Sequence, residues 1–319
     1  HNLAYQGAFA SSILDRIGFG AEDRGMLHQE DLQQGFVNFM KHGIMYADLV
    51  TTVSETYAQE ITTPEFGEGL DPMLAARGAG LIGIVNGVDY DEWSPESDRY
   101  IPEAYGPDDL AGKQTSRDQL LERLELPGDP QGPVFGVVSR LVTQKGFELF
   151  DTVIEPYLEH VDMRLCLLGS GQADYEEYFA VLQERYPEKV CFFKGYSNEL
   201  AHLIEAGSDI FLMPSRYEPC GLNQIYSLRY GTIPIVRRTG GLADTVVHFD
   251  RETKQGNGFL FDDYNRQGFA WAIGEALGVW GTDDWDRLIA NAMAADWSWQ
   301  RQVARYEEIY RALVGVEAG

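Results

Sequence analysis

The chain has 319 residues, 44% of them hydrophobic, and carries 50 acidic against 25 basic residues for a formal charge of −25. That composition supports real hydrophobic cores, and the charge repels a nucleic-acid backbone and an anionic lipid surface, so neither is expected as a partner. At about 100 to 200 residues per domain, two domains are expected.

The chain opens on "HNLAYQGAF", which has neither the basic start nor the apolar centre of a secretory signal, and no apolar run is long enough to cross a bilayer. Apolar positions run straight from residue 3, as they do inside a folded domain, so the sequence is expected to be truncated at its N-terminus. Residues 1–83 read as mixed α/β, with "GFVNFMKHGIMYA" a helix, "DLVTTVS" a strand and "ETYAQEIT" a helix. That is too little for a whole domain and is taken as the remainder of an N-terminal one. Residues 84–130 are rich in Pro, Asp and Tyr and read as an interdomain connection. From residue 134, β-rich runs ("VFGVVSR", "MRLCLLG", "VCFFKG", "DIFLMPS", "TIPIVRR") alternate with amphipathic ones, "FELFDTVIEPYLEH" being the first helix. This alternation predicts an α/β class with a parallel, Rossmann-like sheet over 131–296, followed by a helix over 297–319 that packs back on the N-terminal domain.

Ligands of such sheets bind beyond the carboxyl ends of the strands, which directs attention to the residues after each run. After the first, Arg140 and Lys145 offer a guanidinium and an ammonium five residues apart, suited to a diphosphate or simply two exposed cations. After the second, Gly169 and Gly171 mark a tight turn or a close approach to a ligand, and read more simply as a turn. Tyr196, after the third, would stack on a base or pack. After the fourth, "SRYEPCGLNQ" sets Glu218 to bond sugar hydroxyls, Pro219 to fix the turn, and Cys220, Gly221, Leu222 and Asn223 to lead into a helix whose first amides face an anion. Thr239, Gly240 and Gly241 repeat that arrangement after the fifth. His1 would bond a sugar or is an ordinary polar residue; His28 and His202 have no metal-ligand spacing. Cys166 and Cys191 read as core, and three cysteines without a CxxC pair fit a reducing compartment, so the expected location is cytoplasmic.

Taken together, "HNLAYQG", "YADLVTTVSETYAQEI", "NGVDYDEWSPESD", "VSRLVTQKG", "RYEPCGLNQIYSLRYGTIPIVRRTGGLADTV" and "GNGFLFDD" resemble the bacterial glycogen synthase and plant starch synthase family. The resemblance implies a GT-B architecture of two Rossmann-like domains and retaining transfer of glucose from ADP-glucose to the non-reducing 4-hydroxyl of an α-1,4-glucan such as glycogen. It implies no metal and no cofactor, ADP-glucose being a substrate. It matches Arg140 and Lys145 to the basic pair on the diphosphate, and Glu218, Cys220 and Gly221 to the motif contacting the donor glucose. It also matches His1 and Asn86 to glucose-contacting residues and Tyr196 to the aromatic beside adenine. On this reading His1, Arg140, Lys145 and Glu218 serve catalysis, while Asn86, Tyr196, Cys220, Gly221, Leu222, Asn223, Thr239, Gly240 and Gly241 bind donor.

The sequence departs from that family in three places. It has no Lys-x-Gly-Gly-Leu loop, its "TGGL" at 239–242 being preceded by Arg238; Asn223 stands where Thr is expected; and Tyr226 stands at the second acidic position of the Glu, seven residues, Glu motif. The alternatives are a non-catalytic nucleotide- or glucan-binding chain, and a GT-B glucosyltransferase that uses UDP-glucose.

Overall fold

In the computed structural model, which describes residues 1–128 and 131–315, the chain divides into two compact units, His1–Ile84 and Val85–Gly319. Residue 130, where the connection was expected to end, and the last four residues of the expected helix 297–319 lie outside the described residues.

The first unit holds two short sheets. β1 (Ala8–Ala10) pairs antiparallel with β2 (Phe36–Asn38), and β3 (Val50–Thr52) pairs parallel with β4 (Leu81–Gly83). "GFVNFMKHGIMYA" is therefore strand first and helix second. The Asn38 side chain accepts from Lys41 N at 3.0 Å, an N-cap that starts the helix at Phe39 rather than at Gly35. Ser54 caps helix Glu55–Glu60 in the same way, and Leu3, Ile44, Tyr57, Ile61, Leu70 and Leu74 form the core.

The second unit is built on six parallel strands: β5 (Val134–Leu141), β6 (Arg164–Gly171), β7 (Val190–Lys194), β8 (Ile210–Met213), β9 (Ile233–Arg237) and β10 (Phe259–Phe261). Their order is β10-β9-β8-β5-β6-β7. Alternate residues of each strand serve different cores. Phe135, Val137, Leu165, Leu167 and Ile210 face a core shared with helices Ile154–His160, Ala173–Arg185 and Arg266–Val279. Val134, Cys166, Leu168, Phe211 and Val236 face one shared with helices Ala111–Arg123 and Asn198–Gly207. Both faces are covered, as near-continuous apolar strands require, and the expected Rossmann-like α/β class is borne out. The chain runs outward from β5 to β7 and then returns to lay β8 on the other side of β5. The crevice between the carboxyl ends of β5 and β8 is thus the topological switch point where such sheets bind ligands.

Two local readings are corrected. "FELFDTVIEPYLEH" is a 3-10 turn, Phe147–Leu149, and a separate helix, Ile154–His160; Thr152, at φ +65°, breaks the run. Gly169 and Gly171 lie inside β6 rather than in a turn. A Cβ on either would come within 2.2 Å of a β5 carbonyl, Ser139 O or Leu141 O, so they serve close approach of strands. The polar segment after residue 84 groups with the second unit and supplies helix Ala111–Arg123, packed so closely on helix Asn198–Gly207 that a Cβ at Gly207 would lie 2.7 Å from Ser116 O.

Candidate active site

The loops leaving β5 and β8 meet at the switch point. Beyond β5, a 3-10 turn over Thr143–Lys145 ends at Gly146, whose φ of +77° reverses the chain. A Cβ there would lie 2.0 Å from Pro214 O, so glycine is required both for the conformation and for contact with the loop after β8. Arg216 N donates to Gln144 O at 2.8 Å and Gln144 Nε2 donates to Tyr217 O at 3.3 Å, closing the two loops on each other.

This brings the two principal expectations together. Lys145 Nζ donates to Glu218 Oε2 at 2.5 Å, and Ser215 Oγ donates to the same oxygen at 3.1 Å. The two charged side chains are 17% and 8% exposed, so the pair is largely out of water and its attraction is correspondingly stronger than at a surface. Beside it opens a cavity of about 180 Å³ lined by Val138, Ser139, Arg140, Lys145, Ser215 and Asn223 among others. That volume is below the roughly 300–1,000 Å³ of pockets that enclose a whole small ligand. Arg140, exposed at the end of β5, adds a second cation to the rim.

Asn223 donates from Nδ2 to Val138 O at 2.8 Å, anchoring the start of helix Asn223–Arg229 to β5. Gln224, which carried no signal in the sequence, holds the preceding loop: its Nε2 donates to Cys220 O, Gly221 O and Thr245 Oγ1, each at 3.1 Å. Gly221 and Leu222 are half-buried in that loop. Cys220 is buried, and Asn86 N lies 3.4 Å from its sulfur as donor. Burial pushes the Cys220 thiol up to about 12, so the group packs and accepts a hydrogen bond and is no nucleophile. Thr239 is buried ahead of helix Gly240–Thr245. A Cβ on Gly240 would lie 2.0 Å from Glu218 O, and one on Gly241 2.0 Å from Cys220 O, while Gly241 N donates to Glu218 O at 3.0 Å. The glycine pair thus lets its backbone press on the backbone of the Glu218 loop.

Within the second unit one expected residue stands outside this cluster. Tyr196, just past β7, is 80% exposed and donates to Asn198 Oδ1 at 3.2 Å; it is absent from the cavity lining. His1 is an exposed residue of the first unit. Tyr226 stacks on Trp93 at 3.9 Å instead of lining the cavity. Ser215 was missed as an individual residue, although its place directly after a strand was the available signal. Among the described residues no cluster of His, Cys, Asp and Glu is arranged to hold a metal ion, and no helix is long and apolar enough to cross a membrane.

Comparison with known proteins fits this arrangement. A family model described as starch synthase catalytic domain matches residues 1–76, and one described as glycosyl transferases group 1 matches residues 118–292. The chain is 46% identical over 316 residues to glycogen synthase 1 of Geobacter metallireducens, covering 98% of this chain and 62% of the relative. It is 46% identical over 314 residues to glycogen synthase of Anaeromyxobacter dehalogenans, covering 98% and 65%. The catalytic domain of starch synthase IV from Arabidopsis thaliana, solved bound to ADP and acarbose, superposes with a TM-score of 0.91 at 36% identity, covering 99% of this chain and 66% of that one. The chain therefore spans 62–65% of the length of these two curated relatives.

Proposed function

The chain belongs to the group 1 glycosyl transferases, and from that premise we propose that it is the nucleotide-sugar side of a retaining glucosyltransferase that moves glucose from ADP-glucose to the non-reducing 4-hydroxyl of an α-1,4-glucan such as glycogen. The observation that carries this reading is that Arg140 and Lys145 line one cavity at the switch point while Lys145 is ion-paired to Glu218. The identity with glycogen synthases and the ADP bound to the Arabidopsis relative support ADP-glucose as donor.

In the proposed reaction the diphosphate enters the cavity and draws Lys145 partly away from Glu218. The ammonium and the Arg140 guanidinium then oppose the charge that grows on the phosphate as the bond to the anomeric carbon breaks. Glu218, released from part of its ion pair, takes hydrogen bonds from the sugar hydroxyls and supports the oxocarbenium-like glucosyl group, which the acceptor hydroxyl attacks from the face the diphosphate leaves, passing its proton to the departing phosphate oxygen. Asn86 and His1 are assigned to the sugar, Tyr196 to the adenine, and the backbone around Cys220–Asn223 and Thr239–Gly241 to the donor. Charge neutralisation falls to the two side-chain cations, so the reaction is proposed to need neither metal nor cofactor. The free cysteines support a cytoplasmic location.

The test is incorporation of labelled glucose into glycogen from ADP-glucose and from UDP-glucose at equal concentration. Transfer at least about tenfold faster from ADP-glucose is expected. Equal or faster transfer from UDP-glucose would overturn the donor assignment, and ADP binding without any transfer would make the chain a binding module.

A further inference from the structure

Three residues beyond Lys145, the Glu148 carboxylate sits between two phenols from distant elements. Tyr264, three residues past β10, donates to Oε1 at 2.5 Å, and Tyr175, from helix Ala173–Arg185, donates to Oε2 at 3.2 Å. The Tyr175 hydroxyl also lies 3.5 Å from Thr143 Oγ1, which in turn donates to Gln172 Oε1 at 3.2 Å. The turn that carries Lys145 is thus held at its start by Thr143 and just past its end by Glu148. Tyr264 belongs to the same assembly on its other side: the Arg237 guanidinium lies over its ring at 5.1 Å and donates to Arg216 O, in the loop that leads to Glu218.

Glu148 is absent from the cavity lining, and both of its carboxylate oxygens are already engaged by the two phenols. Its chemistry suits a clamp. An ionised carboxylate accepts at both oxygens and donates at neither, which two converging hydroxyl donors require; an amide would turn a donor toward one of them. Because Gly146 is in backbone contact with Pro214, a displacement of the turn that carries Lys145 would be felt in the Glu218 loop as well.

We propose that Glu148 is a positioning residue: by accepting hydrogen bonds from Tyr175 and Tyr264 it fixes the turn that carries Lys145 and keeps that cavity-lining ammonium on Glu218. What Lys145 then acts on rests on the function proposed above; the clamp itself does not.

Two readouts separate these. In Glu148→Gln, amide hydrogen exchange over residues 143–149 should quicken about tenfold with the rest of the sheet unchanged. Tyr264→Phe, which removes one of the two bonds, should give a smaller change in the same segment. ADP affinity should fall about tenfold in Glu148→Gln when Lys145 is present and no further when Lys145→Ala has already been made, the signature of one residue acting through another. Unchanged exchange in both variants, or an equal loss of affinity with and without Lys145, would overturn the proposal. Failure of the unaltered protein to bind ADP would count against the functional reading, while the exchange result would still decide whether Glu148 is a clamp.

Discussion

At the amino ends of β8 and β9 the Lys113 ammonium donates to Ala206 O, Ser208 O, Tyr230 O and Thr232 Oγ1, at 2.8 to 3.1 Å, and is buried. At the carboxyl ends of β5 and β8 the Lys145 ammonium meets Glu218 and faces a cavity. The same chemical group is put to opposite uses. Four fixed acceptors leave Lys113 no partner to exchange, whereas Lys145 can trade a carboxylate oxygen for a ligand's. The enclosed end also shows marked pKa displacements: burial pushes Glu205 up to about 8 and Lys113 down to about 7. Nearby, the Asp98 carboxylate joins His202 at 2.8 Å and the Tyr230 hydroxyl at 2.5 Å, with Trp93 stacked between His202 and Tyr226. A displaced titration therefore marks enclosure here, and a charged pair beside open space marks the candidate site.

The contrast can be broken at either end. Glu218→Ala should lower glucosyl transfer about 10³-fold while ADP still binds, since the contacts proposed for it are to the sugar; steady-state rates and calorimetry on one preparation would show it, and near-normal turnover would remove Glu218 from the reaction. Lys113→Met should cost about 3 kcal/mol of stability in urea unfolding by leaving buried oxygens without a donor, with ADP affinity unchanged. A parallel loss of ADP affinity would mean the two ends are not separate.

The smallest effect concerns pH. The folded chain holds a proton on Glu205 up to about pH 8, which the unfolded chain releases near 4.5, so the stability contributed by this group is full below 4.5 and is lost as pH rises toward 8. Lys113, lowered from 10.5 to about 7, makes stability rise with pH above 7. The Glu205 effect is therefore read between pH 4.5 and 7, as a fall in the unfolding free energy of the native protein relative to Glu205→Gln. Parallel curves for the two proteins would show that Glu205 is ionised in the fold.

What was legible in the sequence follows from this division. Near-continuous apolar runs announce parallel strands, and the residues just beyond them are the switch-point residues, so Arg140, Lys145, Glu218 and Asn223 could be picked out and are brought to one place. The amino-end network could not be found that way. Lys113 and Asp98 lie in a polar stretch that reads as a connection, and the oxygens that satisfy Lys113 come from 93 to 119 residues further along. Glu148 was hidden similarly, inside a run that scans as a helix, with one of its phenols 116 residues away. Gly169 and Gly171 looked like a turn because the nearness of a neighbouring strand leaves no mark on local spacing.

The contact of Gly240 and Gly241 with the backbone of Glu218 and Cys220 has a consequence for change over generations. Two loops that touch main chain to main chain cannot drift independently: a side chain at either glycine displaces the opposite loop, and remodelling around Glu218 must preserve room for the glycine pair. Evolution and protein engineering alike are left with exposed positions near these loops, such as Arg216 and Arg238, as the places where side chains can change without dismantling that contact.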